Sequence, residues 1–297
     1  MSPPPAEALR LDVGGRGFHA LAWGDPSLPP VLLLHGFPEF SGAWAEIGPR
    51  LAGRFRCVAP DQRGYGRSWR PEGVGRYAMG GLVSDMAGVI DAMGGRAAVV
   101  GHDWGAAVAY GLAILSPGRV SRLVVVNGVH PLAFQRELAE GGAQAEASRY
   151  IEWLRREGSE APLAADGYAR LWRMFGDLPG ALGPERRGAY EEAWGGAAGL
   201  RSMVDWYRAA PIRIPPPGER LAPDGRDPER FRIAMPHLVI WGMEDVAFVP
   251  EMRLGAEPFS GSFELEEVAG SDHWVIHREP DRVAERIARF LAAGAPG

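Results

Sequence analysis

The segment Val99-Val100-Gly101-His102-Asp103-Trp104-Gly105-Ala106-Ala107 is where the chemistry is most legible. An apolar run ends, Gly-x-Asp-x-Gly follows, and small residues suited to a helix come next. The pattern predicts a sharp strand-to-helix elbow that holds its central side chain exposed. The flanking glycines would let strand and helix approach closely. Most such elbows carry serine in the middle; this one carries Asp103. A serine needs a base before it attacks, whereas a carboxylate, with a reference pKa of about 3.9, is already ionised at neutral pH. It attacks amides poorly but suits displacement at a strained or polarised sp³ carbon, such as an epoxide or a carbon–halogen bond. The product would be an ester on Asp103, which a base-activated water must then hydrolyse.

That base is expected beyond the last strand, where Gly270-Ser271-Asp272-His273-Trp274 places His273 ahead of the final helix. His277, four residues on, is read as structural at the helix entry. Leu238-Val239-Ile240-Trp241-Gly242-Met243-Glu244-Asp245 supplies a strand, a turn and two candidate acids. The acid's task is to fix the imidazole's tautomer and orientation. The order nucleophile, acid, histidine follows from these positions. His35-Gly36-Phe37-Pro38-Glu39 follows the third strand and fits the loop that donates one oxyanion-hole N–H, from Phe37; the second would come from Trp104. His35 is expected to brace this loop rather than titrate, and His35 and Trp104 are placed beside the substrate. No metal or cofactor is called for.

These residues need a scaffold. The chain has 297 residues, 46% hydrophobic and 23% charged, as an ordinary globular protein has. Short apolar runs at Val31–Leu34, Arg56–Ala59, Ala97–Gly101 and Leu123–Val126 alternate with helical stretches at Ala43–Leu51, Met79–Met93 and Ala106–Leu115. Leu9–Val13 and Phe18–Ala22 read as an opening hairpin turned by Gly14, Gly15 and Gly17. The alternation predicts a parallel sheet covered by helices on both faces. From about Pro131 strand-like runs vanish, and Ser148–Arg156, Tyr168–Phe175, Gly188–Trp194 and Leu200–Ala209 show helical spacing. Ile212–Asp227 is a Pro- and Gly-rich return linker. His237–Trp241 and Ser262–Val268 resume strands, and Pro280–Ala292 is a closing helix with proline at its start. The expected organisation is a core over 1–130, a helical cap over 131–211, and core again over 212–297.

Every basic residue is arginine, and the net charge is −5, so no broad basic surface for nucleic acid is indicated. The single cysteine, Cys57, excludes an internal disulfide and reads as a small core residue. Met1 to Arg10 has no apolar run like a signal peptide's, and no stretch approaches a membrane span, so a cytoplasmic protein is the expectation.

At these residues the chain resembles the epoxide hydrolases of the α/β-hydrolase superfamily. The resemblance covers nearly the whole chain: His-Gly-Phe-Pro-Glu at 35–39, Asp61-Gln62-Arg63-Gly64-Tyr65-Gly66-Arg67-Ser68, Gly-His-Asp-Trp-Gly at 101–105, Trp-Gly-Met-Glu-Asp at 241–245 and Asp-His-Trp at 272–274. It implies an α/β-hydrolase fold, a mostly parallel eight-stranded sheet flanked by helices, with an inserted helical cap. By the usual Gly-x-x-Asp spacing it selects Asp245 over Glu244. It also implies two cap tyrosines that hydrogen-bond the epoxide oxygen and protonate it as the ring opens. Asp205-Trp206-Tyr207-Arg208 resembles the second tyrosine motif, with Asp205 in place of asparagine, and marks Tyr207. The segment from Tyr150 to Gly158 resembles the first and marks Tyr150. A phenol, with a reference pKa of about 10, can protonate an alkoxide without being ionised at rest. The implied partners are a small apolar epoxide and water, with no nucleic acid or membrane; a homodimer stays open.

Two other readings share the fold. Haloalkane and haloacid dehalogenases also use an aspartate but need halide-stabilising donors. Trp104 could supply one. Phe37 has no side-chain donor where many haloalkane enzymes carry asparagine, and Trp104 replaces the arginine of haloacetate enzymes. His102 before Asp103 looks more like epoxide hydrolases. A non-catalytic ligand receptor is the third reading, against which stand the complete triad, the oxyanion loop and the tyrosines; function must be argued from the site, not the fold.

Overall fold

The apolar runs pair into one eight-stranded sheet: β1 (Glu7–Asp12), β2 (Gly17–Trp23), β3 (Pro30–Leu34), β4 (Arg56–Pro60), β5 (Ala97–His102), β6 (Val120–Val126), β7 (His237–Gly242) and β8 (Phe263–Val268). This computed structural model describes residues 5–222 and 225–293; Met1–Pro4 of the leading segment and Pro223-Asp224 of the return linker lie outside the described residues. The spatial order is β1-β2-β4-β3-β5-β6-β7-β8. The hairpin pairs Leu9 with Ala20 and Asp12 with Gly17, and β2 also runs antiparallel to β4. All other neighbours are parallel.

The central runs are continuously apolar because both of their faces are covered. Leu32, Leu34, Val99, Val125 and Trp241 point into one core, while Val31, Leu33, Val100, Val124 and Ile240 point into the other. The flanking helices are α1 (Ile47–Leu51), α2 (Met79–Ala92) and α3 (Trp104–Leu115). Cys57 is buried in β4, packed in the second core.

The expected helix over Ala43–Leu51 is in fact a 3₁₀ turn, Ser41–Trp44, followed by the short α1. Pro49 explains the break: it cannot donate to the carbonyl four residues back, so it is tolerated only in a first turn. The α3 helix begins at Trp104, two residues before the expected start, directly against Asp103.

Among the described residues six α-helices and a 3₁₀ turn, Pro228–Phe231, separate β6 from β7: α4 (Pro131–Ala139), α5 (Ala143–Ala147), α6 (Arg149–Leu154), α7 (Glu160–Met174), α8 (Leu178–Trp194) and α9 (Gly196–Ala209). The α7 helix is interrupted at Ala165–Tyr168 and α8 at Gly183, just before Pro184. The chain closes with α10 (Val275–Arg278) and α11 (Pro280–Ala292), the latter with the bounds the sequence predicts. The insertion is bonded to the core: the Ser202 hydroxyl donates to the Gly64 carbonyl at 2.7 Å, and the Trp206 indole donates to the Arg63 carbonyl at 2.9 Å. Among the described residues no helix is long and apolar enough to cross a membrane.

Two histidines sit fully buried where the insertion leaves and the sheet resumes. The His130 ring stacks on Phe259 at 4.0 Å and bonds the Phe231 carbonyl at 2.9 Å. His237 bonds Ser260 and Tyr110. Burial pushes their pKa values down, to about 4 and about 3 respectively. Below about pH 6.5 the unfolded chain therefore takes up protons that the folded chain refuses, so stability falls with pH toward those values. His237→Gln keeps hydrogen-bonding atoms but cannot titrate. We expect its denaturant-derived stability to decline less steeply between pH 6 and 4, by about 1.4 kcal/mol per pH unit. An unaltered slope would mean that the folded protein accepts that proton.

Candidate active site

Asp103 joins β5 to α3 with φ 51° and ψ −119°, the left-handed region that costs a non-glycine residue on the order of 1–3 kcal/mol. Its neighbours have no room for side chains. A Cβ on Gly101 would lie 2.4 Å from the Gly105 carbonyl oxygen, and one on Gly105 would lie 2.1 Å from the Leu34 carbonyl oxygen. One on Gly36 would lie 2.3 Å from the Asp103 carboxylate. The three glycines thus let β3, β5 and α3 close around one aspartate.

The two carboxylate oxygens of Asp103 have different surroundings. Oδ1 accepts the Phe37 backbone N–H at 2.7 Å. Oδ2 faces the His273 Nε2 at 3.7 Å. Trp104 is the first residue of α3, so its N–H has no partner within the helix, and the positive end of the helix dipole lies against the carboxylate.

His273 Nδ1 bonds Asp245 Oδ2 at 2.8 Å. Asp245 also accepts the Asn127 amide at 2.6 Å and the backbone N–H groups of Ala247 and Phe248 at 2.7 and 3.1 Å. Burial works to raise the pKa of Asp245, but His273 and these donors outweigh it and hold the carboxyl below its usual range. Glu244, the other sequence candidate, is exposed. Burial likewise presses the His273 pKa down; Asp245, Asp103 and Glu39 more than reverse this and carry it up to about 9.

Behind the histidine lies a buried polar cluster. Glu39 Oε2 meets His102 Nδ1 at 3.0 Å, and the other nitrogen of His102 reaches the His273 carbonyl at 2.9 Å. Glu39 Oε1 meets His277 Nε2 at 2.6 Å and accepts the Tyr190 hydroxyl at 3.0 Å. Burial opposes the Glu39 charge, but His277 and His102 prevail and keep its pKa far below normal. Tyr190 lies on α8, as does Trp194, whose indole donates to the Pro38 carbonyl at 2.6 Å. The insertion is thereby tied to the oxyanion loop. His35 does not reach the cavity beside Asp103: it is fully buried, its Nδ1 bonds the Gly36 carbonyl, and its Nε2 accepts the Gln62 N–H. It braces the loop, and the expectation that it also meets substrate is corrected.

A cavity of about 290 Å³ opens beside Asp103 and is lined by Trp104, Tyr150, Tyr207 and Phe248 together with aliphatic side chains. Tyr207 comes from α9 and Tyr150 from α6, with ring centroids 6.2 Å apart. The Tyr207 ring meets Phe37 and Trp104 edge-on at 5.3 and 5.0 Å. Burial raises both phenol pKa values, and the Asp103 charge adds to this, so both hold their protons at rest. Arg155 fixes the end of α9 by donating to the carbonyls of Tyr207, Ala210 and Ile212 at 2.8 to 2.9 Å. Asp205, which stands where the resembled motif has asparagine, pairs with Arg208 at 2.9 Å. Among the described residues no group of three His, Cys, Asp or Glu side chains is arranged to hold a metal ion.

Asn127 and the Glu39 cluster carry no expectation from the sequence. For Asn127 a signal exists: it is a polar residue immediately after the buried run of β6, at the same end of the sheet as Asp103.

Because the Asp103 charge helps to hold the His273 proton, removing it must lower the imidazole pKa. We expect an NMR titration of His273 in Asp103→Ala to give a midpoint clearly below that of the wild-type protein. An equal or higher midpoint would show that the two groups are not coupled.

The chain matches the α/β-hydrolase family over residues 31–286. It is 32% identical over 286 residues to the α/β-hydrolase superfamily protein YfhM of Bacillus subtilis, covering 95% of this chain and 96% of that one. It is 30% identical to epoxide hydrolase A of Mycobacterium tuberculosis, over 97% of each chain. Among solved structures, an epoxide hydrolase from metagenomes of hot environments superposes with a TM-score of 0.88 at 33% identity, covering 97% of this chain and 99% of that one. An inhibitor complex of Bacillus megaterium epoxide hydrolase superposes with a TM-score of 0.83 at 29% identity, covering 95% and 99%. Matched along nearly its whole length in sequence and in backbone, the protein belongs to the α/β-hydrolase family and is an epoxide hydrolase-like enzyme within it.

Proposed function

We propose that the enzyme opens an epoxide to a vicinal diol through an ester on Asp103. The observation that carries this reading is two un-ionised phenols, Tyr150 and Tyr207, bordering the same apolar cavity as the carboxylate. Asp103 Oδ2, the oxygen not held by Phe37, attacks a ring carbon as the C–O bond breaks. The phenols hydrogen-bond the leaving oxygen and supply its proton, so no free alkoxide is released into an apolar site. The alkylated Asp103 is neutral. His273 thereby loses one of the charges that favour its protonated form, its pKa falls, and it passes its proton back to the phenolate, leaving a neutral imidazole to act as base.

In the second half the imidazole takes a proton from water, and the water oxygen attacks the ester carbonyl. The resulting oxyanion sits on Oδ1, toward the Phe37 and Trp104 N–H groups; losing one such donor typically costs about 10²–10³ in rate. The tetrahedral species collapses, expelling the diol oxygen, which recovers a proton from the imidazolium. The acid left on Asp103 gives its proton to the imidazole, restoring the resting carboxylate and the protonated His273. Asp245 holds His273 with Nε2 toward the ester. Fixed phenols suit an oxygen leaving group, which must be protonated, better than a halide, which needs none.

In a single turnover in H₂¹⁸O we expect the label in Asp103 and unlabelled oxygen in the first diol. Tyr150→Phe with Tyr207→Phe should lower epoxide opening by at least 10³-fold, in keeping with two lost acids. Label appearing directly in the first diol, or a double variant of wild-type rate, would refute the scheme. Halide release from haloalkanes or haloacids with no epoxide turnover would move the assignment to dehalogenation. Binding of epoxide without turnover would leave a receptor.

A further inference from the structure

Along α3 nearly every residue is buried, yet Ala107, Ile114 and Leu115 keep access to solvent, as does Asp103 just before the helix. These positions, with Gly111 between them, recur at steps of three, four or one, and all of them line the one cavity. The cavity therefore runs the length of the helix, about 18 Å at 1.5 Å per residue. A volume of about 290 Å³ along that path makes an elongated tube, longer than it is wide, at the low end for ligand pockets. Its outer end lies at Leu115, which is 63% exposed; Phe231 and Arg226 also line the cavity.

The walls are apolar. Between the two tyrosines and Arg226, Gln135 is the one polar side chain lining the tube among the described residues. Its amide is occupied at both atoms by the Arg213 backbone, at 2.8 and 2.9 Å. A substituent lying there meets mostly apolar side chains, so a polar one would lose its water with little replacement.

We infer that the substrate is an epoxide bearing one slim, unbranched, uncharged aliphatic tail, which lies along α3 from Asp103 toward Leu115, and that Ala107 and Ile114 act as marks on a ruler of tail length. The inference deepens the epoxide reading and rests on it. Ala107 stands about 6 Å along the helix from Asp103, and Ile114 about 16 Å.

The test measures kcat/KM for 1,2-epoxyalkanes from propane to dodecane. Wild type should gain about fourfold per methylene, the equivalent of about 0.8 kcal/mol, until the tube is filled. Ala107→Leu should remove that gain after the first few carbons, cutting the decane-to-propane ratio by at least 10²-fold. Ile114→Trp should spare the gain over short tails and remove it only for the longest. Equal losses at every length in both variants, or a wild-type rate independent of length, would overturn the inference. Calorimetric binding of 1-alkanols separates it from the reaction assigned above. Affinity that rises with alkanol length, with no epoxide turned over, sustains the tube and sinks the epoxide reading; turnover with flat alkanol affinity does the reverse.

Discussion

The geometry of this site depends on one residue held where its backbone would not go unaided. Asp103, at φ 51°, is turned out of the strand so that its carboxylate stands between the β3 loop and the histidine. That turn is possible only because Gly36, Gly101 and Gly105 have no Cβ to collide with neighbouring backbone or with the carboxylate itself. The strain is offset by what surrounds it: the fully buried β5 and the nearly buried β3, the helix starting at the next residue, and the Phe37 N–H. The same hydrogen bond makes the two oxygens of one carboxylate inequivalent, leaving Oδ2 facing His273.

Around that residue, positioning is delegated to charge. Asp245 orients His273 from one side, and Asn127 and two backbone N–H groups hold Asp245. From behind, His102 bonds the carbonyl of His273 itself, and Glu39 bonds His102. Glu39 also takes a hydroxyl from α8, so the insertion that carries the tyrosines and the loop that carries the Phe37 N–H share one buried carboxylate. Truncating a buried charge of this kind leaves its partners unpaired, which typically costs several kcal/mol.

Much of this was legible in the residues. The central strands read correctly because a sheet covered on both faces demands unbroken apolar runs, and the elbow and Asp245 sit beside the ends of such runs, whereas His273 follows the half-exposed edge strand β8. Tyr150 and Tyr207 were reached through resemblance alone, since a helical tyrosine carries no local mark of its surroundings. The Glu39 cluster was not legible: its partners are 63, 151 and 238 residues away in sequence, and no local pattern encodes contacts at that range. The helix over Ala43–Leu51 was overextended because hydrophobic spacing was read without weighing Pro49.

An epoxide is an alkylating agent, and a protein that concentrates one exposes its own nucleophiles to it. The usual casualties are lysine amines and cysteine thiolates. This chain has no lysine, and its one thiol lies inside β4, where burial pushes its pKa up to about 12. Thiolate, not thiol, is the reactive form. With Cys57 sealed in the core, the carboxylate that meets the proposed electrophile in the cavity is Asp103, and the neighbouring imidazole is placed to clear the proposed adduct. Read this way, the buried strand doubles as a safeguard against suicide inactivation.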